Sequence, residues 1–178
     1  QAKMIQERMD KAGANKHLYY PVLAATGAKE AVAPIVEGYK STTGEAQKAA
    51  FEGLCALNDA SVLPTLLEAT ANAEFKDKAI ARYITLTGTS AINNDQKYMN
   101  YRKALEAKPS VGVQNAALTA IAATQNYQGM MLAAEYMDNE ATAQAAANTV
   151  MQIATKHPEY YSAEVKALLE KVSATLND

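Results

Sequence analysis

The chain has 178 residues, 49% hydrophobic and 20% charged, which is the balance of a globular chain with a core and not of a disordered one. Its net charge is −2, and 14 Lys and three Arg are scattered along it. That excludes the clustered cations of a phosphate-binding surface, so no nucleic-acid partner is expected. A single cysteine, Cys55, excludes an internal disulfide framework and a thiolate metal cluster.

Ala occurs 37 times, against eight Gly and five Pro, so helix is favoured nearly throughout. The opening "QAKMIQERMDKAG" predicts one helix, residues 1–13. "NKHLYYPVLAATG" and "AKEAVAPIVEGYKS" predict a pair within residues 14–42, and "QKAAFEGLCALND" and "ASVLPTLLEATANA" another within 43–73. In the latter, Ala50, Gly53, Leu54 and Leu57 form an i, i+3, i+4, i+7 stripe, and Pro64 falls in a first turn that needs no N–H from it. "DKAIARYITLTGT" and "INNDQKYMNYRKALEA" make the pair of 74–109. "QNAALTAIAATQN" and "YQGMMLAAEYMDNE" follow in 110–139, and "QAAANTVMQIATK" and "PEYYSAEVKALLEKVSATL" in 140–178. Turn and capping residues separate them at "STTGE", "LND", "LTGTS", "KPS", "TQN" and "MDNE".

The first helices repeat. Aligning Leu18, Ala49, Ala79, Ala116 and Ala146 gives intervals of 31, 30, 37 and 30. The expectation is a single all-α domain over 1–178, a right-handed α-α superhelix of about five helical hairpins after an N-terminal half-repeat. The extra seven residues of the third unit, at "TSAINNDQKYMNYRK", predict a lengthened helix or loop on one face, where such arrays often bind.

Thirty-residue helical hairpins, with Ala-rich first helices, Asn-Asp or Thr-Gly turns and a "VLPTLLEA"-type second helix, resemble HEAT repeats over nearly the whole chain. Lys48, Lys78, Asn115 and Ala145 stand where the HEAT pattern most often has Arg, so the internal Asp–Arg ladder of many HEAT arrays is not expected. The Ala-, Lys- and Asn-rich texture and the ending "HPEYYSAEVKALLEKVSATLND" also resemble HEAT segments of secreted bacterial proteins that carry a jelly-roll domain of the 3-keto-disaccharide hydrolase type. That resemblance implies a periplasmic or secreted protein, with carbohydrate handled by an adjoining domain. The start at Gln1, with no apolar leader, is read as a mature or trimmed chain.

Little catalytic chemistry is legible. His17 and His157, the two histidines, fall in the first and last hairpins, and no histidine shares the hairpin of Cys55. Glu135 with Asp138 and Glu140, or Glu68 with Glu74, are read as acids of helix ends and solvated faces. No catalytic residue, metal site or cofactor is assigned. Pro109–Ala134 contains no charge over 26 positions, but its Gln, Asn and Thr are too costly in hydrocarbon for a membrane span.

Tyrosine carries the binding expectation, with ten against two Phe and no Trp. Tyr39, Tyr98, Tyr101 and Tyr136 lie on second helices, which line the concave face of HEAT-type arrays. Each ring buries area while its hydroxyl stays wet, which suits a recognition surface. The charge-free first helices Val111–Thr124 and Ala141–Thr155 form a second candidate, a flank for a protein partner or an adjoining domain of the same chain. The leading expectation is therefore a non-catalytic interaction or spacer module. The alternatives are a free-standing cytoplasmic HEAT scaffold and a HEAT-like enzyme such as a DNA glycosylase or bilin lyase. A net negative charge and the absence of Trp argue against the glycosylase.

Overall fold

The computed structural model describes residues 1–177, and among them there is no β-strand. They form eleven α-helices with short 3-10 turns. The helices gather into two compact units, one ending at Arg82 and the other starting at Tyr83.

The first unit holds α1 (Ala2–Lys11), α2 (Tyr20–Ala25), α3 (Val32–Ser41), α4 (Gly44–Ala56), α5 (Leu63–Ala69) and the first half of α6 (Lys76–Thr89). α4 is its centre, packed by α2 and α3. The stripe of Ala50, Gly53, Leu54 and Leu57 is buried as its spacing predicts, against Leu23 and Ile35 among other fully buried residues. Phe51 and Phe75 stack with ring centroids 4.4 Å apart, and Tyr39 tilts against both at 6.2 and 6.1 Å. Pro64 stands in the first turn of α5. The Arg82 guanidinium donates to the Leu57 carbonyl and to Asn58 Oδ1, both at 2.6 Å, and so closes the C-terminal end of α4.

The expected anchor of the first repeat behaves differently. Leu18 is 62% exposed, because Gly13–Tyr19 winds as a 3-10 helix. A three-residue period carries side chains off the 3.6-residue stripe that the alignment assumes.

The second unit holds the end of α6, α7 (Asn94–Glu106), α8 (Val111–Ile121), α9 (Tyr127–Ala134), α10 (Glu140–Lys156) and α11 (Ala163–Asn177). α10 is the centre, packed by α8, α9 and α11, while α7 packs on α8. Leu118, Ile121, Met130, Ala146, Ala147, Val150 and Ile153 are fully buried. The small residues let helix axes approach closely, and Thr149 uses that closeness to donate its hydroxyl to the Leu118 carbonyl at 2.8 Å. The turns "TQN" and "MDNE" cap as their composition predicts, and Asn93, expected inside a helix, acts as a cap as well. Asn93, Asn126 and Asn139 accept hydrogen bonds from the backbone N–H groups of Gln96, Gly129 and Ala141 and start α7, α9 and α10. α7 has 13 residues and α5 has seven. No helix among the described residues is long and apolar enough to cross a membrane.

Candidate functional site

The second unit contains a groove of about 340 Å³ between α7 and α9. Helical periodicity builds both walls. On α7, Tyr98, Arg102 and Glu106 follow each other at four-residue steps and project along one face, while Tyr101 and Ala104 turn to the core. Tyr127 and Met131 of α9 and Glu135 at its C-cap do the same, one helical turn apart. Leu105, Met131 and Leu132 supply its apolar lining, and Tyr136 joins it from the turn after α9.

The electrostatics of the groove are acidic. Arg102 Nε donates to Glu106 Oε1 at 2.9 Å. Glu106 holds the guanidinium pKa above its ordinary value, and the Tyr98 hydroxyl adds a smaller contribution in the same direction. Glu135 has no cation within ion-pair distance among the described residues. The Tyr136 hydroxyl is pushed above the usual phenol range, first by burial and then by the negative charges of Glu135 and Glu106. Lys97, on the same helix as Tyr98, is directed elsewhere and donates to the Gly88 carbonyl at 2.8 Å.

Tyr127 is held from behind. Its ring meets that of Tyr160 edge-on at 5.5 Å, and Tyr160 stacks on His157 at 4.8 Å. His157 Nδ1 lies 2.6 Å from Glu159 Oε1, which fixes the imidazole and lowers the Glu159 pKa. His157 therefore serves as a strut of this aromatic stack.

Of the four tyrosines expected to line a binding face, Tyr98 and Tyr136 meet in the groove. The other two are core residues. Tyr101 is 2% exposed with its pKa raised by burial, and its hydroxyl packs beside Gly88. Tyr39 is 8% exposed within the Phe51–Phe75 cluster of the first unit. Neither ring has a face free for a ligand, because each completes a core that has no tryptophan and few phenylalanines to fill it. Tyr127 takes the place of Tyr101 in the groove. Its signal was available in "TQNYQGM", where the Asn126 cap makes Tyr127 the first residue of α9 and aligns it with Met131.

The remaining candidate groups are quiet. Cys55 is half-buried and its thiol is pushed up to about 11, mainly by burial, so it is a neutral thiol near neutral pH. Among the described residues no three His, Cys, Asp or Glu side chains gather in a way that would hold a metal ion. On α8 and the charge-free stretch 141–155 within α10, Leu118, Ala146 and Ala147 are buried where the two helices pack, while Val111 and Met151 remain exposed. No family model, curated protein or solved structure matches the chain.

Proposed function

We propose that the chain is a HEAT-type helical-repeat interaction module whose second helices α7 and α9 form a ligand groove. The observation that carries this reading is the convergence of Tyr98, Tyr127 and Tyr136 on one concave site with an apolar lining and two carboxylates. Its volume falls in the range of small-molecule or side-chain pockets, about 300–1,000 Å³. The repeat reading is supported by contacts that recur about one unit apart along the chain. Thr149 reaches Leu118 across 31 residues, Asn126 reaches Asp95 across 31, and Lys171 reaches Asp138 across 33. These three contacts, all within the second unit, are of the kind that stacked repeats would make.

The proposed role is binding. The groove is lined by tyrosine rings, apolar side chains, two carboxylates, the Arg102 guanidinium and the Gln128 amide, and by no histidine or thiol. A fragment screen by ligand-observed NMR tests it. Fragments that bind the native chain should lose binding to the Tyr98→Ala/Tyr136→Ala variant, with the helical circular dichroism spectrum retained. Hits unaffected by those changes, and mapping instead to the cavity beside His157, Tyr161 and Leu169, would place recognition elsewhere.

The wider expectation, a larger exported protein whose adjoining domain handles carbohydrate, rests on the texture of the C-terminal stretch. Immunodetection of the native polypeptide tests that part. A cytosolic product near 19.1 kDa would set it aside.

A further inference from the structure

We infer that the α7–α9 groove takes a small organic cation, a quaternary or tertiary ammonium on a short alkyl stem. This rests on the groove being a binding site, and goes further by naming the chemistry of its ligand.

Three phenol rings line the site, and the ring quadrupole puts partial negative charge on each face. Two carboxylates, Glu106 and Glu135, stand against one guanidinium. Arg102 is already committed to Glu106, so it neutralises one carboxylate and leaves the groove with a net charge of −1. Lys97 is drawn to the Gly88 carbonyl and does not line the groove. Glu135 and Glu106 both add to the rise of the Tyr136 pKa, after the larger effect of burial, so both carboxylates stand near that hydroxyl.

An anion would meet the uncompensated Glu135. A neutral sugar would satisfy the rings and leave the excess charge without a purpose. An alkylated ammonium uses both features: its methyl groups shed water cheaply onto Leu105, Met131 and Leu132, and its charge is stabilised by ring faces and by Glu135. Tyr127 is the ring with a second support behind it, so the site is partly pre-formed.

Isothermal titration of the full chain with choline, and with its neutral isostere 3,3-dimethylbutan-1-ol, tests the inference. Choline should bind about tenfold more tightly than the isostere, and Glu135→Gln should remove most of that difference. Raising the salt concentration should weaken choline and leave the isostere unchanged. Equal affinity for the two compounds would overturn the cation and leave the groove standing as a binding site. No heat from choline up to tens of millimolar, with fragments still displaced by Tyr98→Ala/Tyr136→Ala, would overturn it in the same way. If the fragments also ignore that variant, the groove itself falls.

Discussion

Arg102 donates to Glu106 at 2.9 Å, one turn further along α7, and this pairing decides the character of the groove. Both side chains are about half exposed, so the pair adds little to stability. Its consequence is local: the one cation lining the site is occupied, and Glu135 is left without a paired cation in a lining that holds three tyrosines.

The tyrosines should separate into two classes on truncation. Tyr101→Ala opens a cavity at a residue 2% exposed and should cost about 3–5 kcal/mol, as aromatic truncations in cores do. Tyr39→Ala should behave similarly, since it also disrupts the Phe51–Phe75 stack. Tyr98→Ala, on a half-buried groove wall, should cost about 1 kcal/mol or less. Urea denaturation of the three variants checks this, and equal losses in all three would contradict the assignment.

Leu54 lies at the centre of the first unit with no exposed surface. Leu54→Asp places an unpaired carboxylate there, so its helical signal should be lost at room temperature. Leu54→Ala should keep the fold at a cost of about 2–5 kcal/mol. A thermal melt of Leu54→Asp that matches the native chain would refute the packing of α4.

Gly38 tests a close approach in the same unit. A Cβ there would overlap the Tyr20 hydroxyl and ring, while Tyr20 is itself buried. Alanine would gain about 0.5–1 kcal/mol of helix propensity at an open position. Here overpacking should outweigh it, with a net loss of about 1–3 kcal/mol. Part of the loss should return in a Tyr20→Leu background, which a double-mutant cycle would show. A stabilising Gly38→Ala would mean that Tyr20 packs elsewhere.

Much of the helical order was legible before the structure. The buried stripe on α4 and the Asn caps of α9 and α10 follow from spacing and side-chain chemistry. Repeat arithmetic failed at Leu18, because a 3-10 turn has the wrong period to preserve the register. The groove was half legible. Tyr98 and Tyr101 stand three residues apart on one helix, so they occupy neighbouring stripes. A tyrosine satisfies either a core stripe or a wet one, so composition cannot rank them. What ranks them is how α7 rolls against α8, a packing outcome absent from the α7 sequence alone.

High pH should loosen the fold in a defined window. Burial pushes the Cys55 thiol from 9.0 up to about 11 and the Tyr83 phenol from 10.0 up to about 12. The folded chain therefore holds these protons more tightly than the unfolded chain does. Their contribution is complete below pH 9 and is lost progressively as pH rises through 11 and 12. Urea midpoints should fall across that range, with a shallower fall between pH 9 and 11 in Cys55→Ala. Parallel pH profiles for the two chains would show that the thiol ionises freely in the fold.

Thr149 provides a contact between α10 and α8 that can be weighed. Thr149→Val removes a buried hydrogen bond to the Leu118 carbonyl and should cost about 1 kcal/mol. Thr119→Val, whose exposed hydroxyl bonds within its own helix, should stay within about 0.5 kcal/mol of the native chain. Equal effects in guanidinium melts would remove Thr149 as a tie between repeats.

The most direct measurement is a ring-resolved NMR titration of the ten tyrosines with choline, using selectively labelled protein. Shifts are expected at Tyr98, Tyr127 and Tyr136, with a smaller response at Tyr160 through its contact with Tyr127, and none at Tyr39 or Tyr101. Shifts confined to Tyr161, beside the cavity of α10 and α11, or an unchanged spectrum at saturating choline, would contradict binding in the groove.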